Sequence, residues 1–290
     1  MNSLVAAELL KIRKRWMPYV LLLTMAAGAA FFIWLIGYVS YKDNPADEFS
    51  GEALRTFAFP WSIASLLDSG QFWGAALFVA VLTSSTVATE YGWGTVRQTL
   101  IRGQARSQYL VAKLIGIALV CVAFLLVALA IALVFSLLAT AAAGETITLD
   151  VPDGPSVPEI GVMIARSAAG ILPYGLLAFA LSVGGRSTAL GVSGTIGYMF
   201  VENILGAVLN ELGGVAADMR SLLLGHNVSS LIAANRIGPG DYVSMAPRDA
   251  ALPGDLPDVW LATLIIAAYC AFFLVVAFAV FNRRDIPQRA

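Results

Sequence analysis

The chain has 290 residues, 59% of them hydrophobic and 13% charged, with a mean hydropathy of +0.79. Soluble domains carry about 25% charged residues, so an ordinary soluble domain is excluded and a polytopic membrane protein is indicated. The net charge of −1 conceals a segregation of charge along the chain. The two cysteines, Cys121 and Cys270, both lie in apolar runs and read as packing residues rather than a disulfide or metal site.

In chain order, Val5, Leu9, Ile12 and Trp16 form one helical stripe opposite Lys11, Arg13, Lys14 and Arg15. That pattern predicts a helix over 3–16 lying in the membrane interface. A first span is expected at 17–38, with Pro18 in its first turn. It is too long for the apolar core of a cleaved signal and is expected to stay as an anchor. An acidic segment follows (Asp43, Asp47, Glu48, Glu52, Asp68), within which 57–67 is apolar enough to lie against the outer interface. A second span at 72–89 is rich in small residues, among them Ala75, Ala76, Ser84 and Ser85, and is therefore expected in the protein interior.

A third span is expected at 114–143, long enough to tilt or project. The loop at 144–160 has three prolines and four acids and should be irregular. The fourth span, 161–183, holds Pro173 between Gly170 and Gly175, a predicted kink. A turn with Gly184, Gly185 and Arg186 leads to a fifth span at 188–209. The outer segment 210–258 is expected to be partly helical or re-entrant over 215–234. The sixth span, 259–281, closes on Arg283, Arg284 and Asp285.

This division puts twelve Lys and Arg against three acids on one side, and six against fifteen on the other. Basic residues favour the cytoplasmic side, so both termini are expected inside, with six spans.

The longest polar interval on the basic side is 90–113, EYGWGTVRQTLIRGQARSQYLVAK. A connection that only reversed the chain could be a few residues long. This one carries Glu90, Arg97, Arg102, Arg106 and Lys113, punctuated by Gly92, Gly94 and Gly103. Val96, Leu100 and Ile101 fall at helical spacing, predicting a short amphipathic helix with a packed apolar face. Gly94 would permit the turn into it and Thr95 is suited to cap its first turn. Arg97 could pair with Glu90 or with an acid on a partner.

The order Glu90, Gly94-Thr95-Val96-Arg97, Leu100, Gly103, Arg106, Lys113 resembles the intracellular loop of ABC-2 type transporter permeases. The segment from Phe59-Pro60-Trp61 to Gly74, the closing Phe281 to Asp285 and the number of spans are similar to that family too. The resemblance covers most of the chain and implies a single transmembrane domain over 1–290. It implies a permease subunit in a bacterial-type plasma membrane, with a coupling helix between spans two and three docking on a separate ABC ATPase. ATP and Mg²⁺ would be bound by that partner, and two permease chains, identical or similar, would pair. Export of an apolar or amphipathic compound is the implied activity. A non-transporting accessory, immunity or sensing subunit is the alternative.

No G-x-x-x-x-G-K-[ST] loop is present, so no ATP hydrolysis by that route is expected on this chain. Gly191-Val192-Ser193-Gly194 matches the short motif of intramembrane serine proteases, but such a serine needs a histidine base. The single histidine, His226, falls in the outer segment, so the glycines read better as packing residues. No catalytic residue, metal cluster or nucleic-acid patch is expected. Glu202 is the one acid inside a span, with Asn203 beside it. Gly194, Tyr198, Glu202, Gly206 and Asn210 share a face of small and polar residues. Tyr198, Glu202 and Asn203 are thus candidates for a substrate path, with a structural acid as the alternative.

Overall fold

A computed structural model describes residues 2–43, 57–60, 62–67, 69–101, 105–148, 156–235 and 256–283. Expectations placed on Arg102, Gly103, Arg284 and Asp285, on the acids of 44–56, on the loop at 149–155 and on 236–255 lie outside them. Among the described residues the chain is all-helical, without a strand.

α1 (Asn2–Arg13) leads to α2 (Met17–Ala30), which continues as a π-helical stretch, Phe31–Tyr38, and α3 (Val39–Asp43). A short α4 (Ser62–Leu67) precedes α5 (Ser69–Gly92), and α6 (Thr95–Ile101) joins it to α7 (Arg106–Ala142). Then come α8 (Val157–Gly185), α9 (Thr188–Leu212), α10 (Gly214–Met219), a 3-10 turn (Arg220–Leu222), α11 (Leu224–Ala233) and α12 (Val259–Arg283). Four of these, α7, α8, α9 and α12, are long and apolar enough to cross a membrane.

Local chemistry sets several boundaries. α8 starts on a capping box, with the Ser156 N–H donating to Glu159 Oε2 at 2.8 Å and Pro158 in the first turn. α9 starts on Ser187, whose hydroxyl accepts from the Leu190 N–H. Between them Arg186 takes a left-handed φ of 51°. α7 begins at Arg106, ahead of the expected 114. Its first turns bury Tyr109, Leu110, Ala112 and Lys113 on one side and expose Ser107 and Gln108 on the other, so protein packing, not hydrophobicity alone, supports the start.

α5 and α8 form the centre, packed along each other. Ala76, Ala80, Thr83 and Ser84 of α5 are fully buried, as are Tyr174, Ala178 and Ser182 of α8. α9 joins them where Gly191 leaves room: a Cβ there would stand 2.0 Å from Ser182 Oγ and 2.4 Å from Ser84 Oγ. The first glycine of the protease-like motif is therefore a packing position. Ser193 is exposed, its hydroxyl donating to the Ala189 carbonyl of its own helix.

The described part of 57–67 does not lie along an outer surface. Phe57, Ala58, Ser62, Ile63 and Leu67 are all buried. The Phe59 N–H donates to Thr140 Oγ1 at 2.8 Å, Ser136 Oγ donates to the Phe57 carbonyl at 2.7 Å, and the Ser62 and Ser136 hydroxyls are 2.6 Å apart. Hydroxyls of α7 satisfy the backbone of a segment that mean hydropathy alone reads as interfacial.

Candidate functional site at the basic end

One end of the bundle gathers α1, the close of α5, α6, the start of α7 and the close of α12. Glu8, Lys11, Glu90 and Lys113 meet there in a closed square of alternating charge. Lys113 Nζ is 2.8 Å from Glu8 Oε2 and 3.0 Å from Glu90 Oε2. Lys11 Nζ is 2.7 Å from Glu8 Oε1 and 3.1 Å from Glu90 Oε1. The Tyr109 hydroxyl donates to Glu90 Oε2. Glu8, Glu90 and Lys113 are buried, while Lys11 remains partly open to solvent.

Two buried carboxylates facing two ammonium groups leave no net charge, and each carboxylate oxygen has a cation. Burial works to raise the Glu90 carboxyl. Lys113, the Tyr109 hydroxyl and Lys11 outweigh it, holding Glu90 below the ordinary carboxylate range. Burial likewise works to lower Lys11, and its partners Glu8 and Glu90 hold it above the ordinary lysine value.

Neighbouring contacts extend the junction. Arg15 donates to the Ser85 carbonyl at 3.2 Å and lies 5.1 Å from the Trp93 ring centroid. Arg106 donates to the Asn282 carbonyl at 3.1 Å, placing a cation at the C-terminal carbonyls of α12. The Tyr109 ring stacks on Phe281, with centroids 5.8 Å apart. Arg186 lies over the Tyr91 ring.

α6 hangs from this base through Gly94, whose φ of +70° makes the turn out of α5. Gly94 takes the cap position, its carbonyl accepting from the Gln98 N–H, so α6 begins one residue ahead of a Thr95 cap. The Thr95 hydroxyl instead donates to the Glu90 carbonyl at 3.3 Å and helps close α5. Val96 is buried in this chain's own core and Leu100 packs beside it one turn on. Ile101 is rotated off that face and is 72% exposed; Arg97 and, just before the helix, Trp93 are exposed too. Val96, Leu100 and Ile101 therefore do not share one face. Arg97 does not hold Glu90, whose oxygens are taken by Lys11, Lys113 and Tyr109.

Sequence reasoning singled out Glu90 and Lys113 but passed over Glu8, Lys11 and Tyr109. Glu8 was readable as an acid set within a basic helix, three residues before Lys11. A Cβ on Gly116 would lie 3.1 Å from Glu8 Cβ, so that glycine is where α1 approaches α7.

The second candidate set lies on α9. Glu202 Oε1 accepts from the Gly225 N–H at 2.9 Å and from the Tyr198 hydroxyl at 3.4 Å. α11 has no side-chain cap of its own, its cap position being Leu223. Glu202 thus supplies a carboxyl oxygen to the N-terminus of a helix whose Gly225 lies 23 residues on. Tyr198 is brought to the carboxylate, whereas Asn203 is exposed on another face of α9. Asn227, within an Asn-Val-Ser sequon, is buried and donates to the Ser221 and Leu223 carbonyls. No cluster of His, Cys, Asp and Glu suited to a metal occurs among the described residues.

A family model described as "Protein of unknown function (DUF2705)" matches residues 49–287. The chain belongs to the DUF2705 family. The match takes in α6, Glu90, Lys113 and Glu202, while Glu8 and Lys11 precede it. The chain is also similar to "Uncharacterized protein YhcI" of Bacillus subtilis (strain 168), 24% identical over 220 residues. That similarity covers 73% of this chain and 64% of the relative, so the chain spans less than two thirds of that protein's length.

Proposed function

We propose that this DUF2705 protein is the membrane-spanning permease subunit of an ABC-2 type transporter. In this reading it has six spans: α2 with its π-helical continuation and α5 join the four long apolar helices. The basic end faces the cytoplasm of a bacterial-type plasma membrane, as the excess of Lys and Arg there favours. ATP and Mg²⁺ belong to a separate ATPase, a second permease chain pairs with this one, and the cargo is an apolar or amphipathic compound moved outward.

The observation that carries the proposal is the mounting of α6. ATP-driven closure does work on a membrane domain only through a contact too stiff to absorb the motion. α6 has Val96 and Leu100 packed into the bundle, and it lies in the chain between two helices, α5 and α7, that buried ion pairs clamp together. Trp93, Arg97 and Ile101 are exposed, Trp93 with Arg15 over its ring, an aromatic, a cation and an aliphatic group of the kind that anchor protein interfaces.

The test is purification of tagged protein from its native membrane. Wild type is expected to bring down a nucleotide-hydrolysing chain, and Trp93→Ala with Ile101→Asp to lose it while still inserting. If wild type brings down no such chain, the proposal fails. Association without transport in sealed vesicles would favour the accessory-subunit alternative.

A further inference from the structure

α7 and α8 run antiparallel. α7 starts at the basic end, where Arg106 meets Asn282, and α8 finishes there, where Arg186 meets Tyr91. Midway along them the helices part around a cavity of about 110 Å³. α5 forms its floor through Ala75, Val79 and Thr83. Small residues hold it open: Ala118 on α7, Ala168 and Gly175 on α8. A Cβ on Gly175 would already stand 3.0 Å from Val79 Cγ1, so the backbone of α8 sits directly on the floor.

We propose that this slot binds the hydrocarbon chain of a bilayer lipid. Three observations set the occupant. The wall is almost wholly apolar, and a cavity of this size and character stays dry, so water is not its filling. Its rim carries Val122 and Leu172, respectively 50% and 47% exposed on the outer faces of α7 and α8, while Phe124, Ile171 and Phe179 behind them are buried. The opening is therefore lateral and lies at mid-height of two helices apolar enough to span a membrane, the depth at which a bilayer offers acyl chains and no headgroups.

Its shape agrees. The lining runs from Leu114 to Leu125 on one wall and from Ala168 to Phe179 on the other. Each stretch is about 16 Å of helix at 1.5 Å per residue, so the lining extends along the helices. A linear alkyl chain can follow such a lining, whereas a charged group finds no partner in it. Filling it supplies contacts that α7 and α8 lack with each other. Nothing here depends on transport or on an ATPase.

The test uses the full chain in phosphatidylcholine nanodiscs with palmitic acid carrying a diazirine either near the methyl end or beside the carboxyl group. Photolabelling by the methyl-end probe is expected to concentrate on the α7 peptide containing Cys121 and the α8 peptide containing Ala168, several-fold above that of the carboxyl-end probe. Ala118→Leu with Ala168→Leu should abolish this excess and leave labelling around exposed Phe272 and Val275 of α12 unchanged. Should the double variant fail to fold, Ala118→Val alone should give a partial loss. Equal labelling of α7, α8 and α12, or labelling indifferent to the filling substitutions, overturns the proposal.

Discussion

Lys113 and Glu8 meet at 2.8 Å although 105 residues separate them, and the contact is buried. It makes the amphipathic helix at the start of the chain a structural part of the bundle. Removing one partner of a buried pair costs about 3–5 kcal/mol, because the remaining charge is orphaned. Lys113→Met leaves Glu8 and Glu90 sharing Lys11 alone, with one carboxylate charge in excess, and should lower the thermal unfolding midpoint in detergent. Adding Glu90→Gln to Lys113→Met should recover part of the loss, since Glu8 and Lys11 then remain as a pair. Equal midpoints for wild type and Lys113→Met would show that the square does not clamp α1.

The same square sets a pH window. Glu90 is held below its unfolded value by Lys113, Tyr109 and Lys11 against the effect of burial, so its stabilisation is complete above the ordinary carboxylate pKa of about 4.3. It is lost as pH falls through the lower folded value. Lys11 is held above its ordinary value against burial, so its contribution is complete below about 10.4. It is lost as pH rises through the higher folded value. Stability should be flat through neutral pH and fall on both sides, and Glu90→Gln should flatten the acid limb. An unaltered acid limb in Glu90→Gln would assign it to other groups.

Two aliphatic residues of α6 should respond differently. Leu100→Asp puts a charge against this chain's own core and should lower stability. Ile101→Asp changes an exposed position and should leave the unfolding midpoint in place while, under the proposed function, weakening association with the proposed ATPase. Arg97→Ala should follow Ile101→Asp, and Gln108→Ala should be silent in both measurements. A fall in stability with Ile101→Asp would mean that α6 is seated differently.

Glu202→Gln retains an oxygen for the Gly225 N–H, whereas Glu202→Ala removes it. Loss of a helix cap costs about 0.5–2 kcal/mol. Amide exchange at Leu224 and Gly225 should therefore quicken in Glu202→Ala and change little in Glu202→Gln. Exchange that is the same in all three proteins would dismiss the capping role.

Gly191→Ala forces a methyl group against the hydroxyls of Ser84 and Ser182 and should destabilise by about 1–3 kcal/mol, the usual cost of overpacking. Ser193→Ala, two residues on at an exposed position, should leave stability unchanged. The reverse ranking would refute the packing account of this glycine.

The long apolar helices were legible in the sequence because twenty or so consecutive apolar residues admit few alternatives. The charge square was not. Glu8 pairs across 105 residues with a lysine that, read locally, looks like one more cytoplasmic charge. Arg97 is the nearer cation in sequence to Glu90, but the turn at Gly94 sends it outward while α7 brings Lys113 back. How the described residues of 57–67 pack was not legible for a related reason. Their apolar content was plain, but the hydroxyls of Ser136 and Thr140 that receive their backbone lie more than seventy residues on. For Glu202, helical spacing brought out Tyr198, but the amide it caps belongs to another helix.

The square of Glu8, Lys11, Glu90 and Lys113 also has an electrical consequence. A single elementary charge carried across a membrane potential exchanges about 2.3 kcal/mol for each 100 mV. Two carboxylates and two ammonium groups locked together carry none. The four charges of the square can therefore shift together with α1 and the adjoining ends of α5 and α7 without the resting voltage exerting a net force on them.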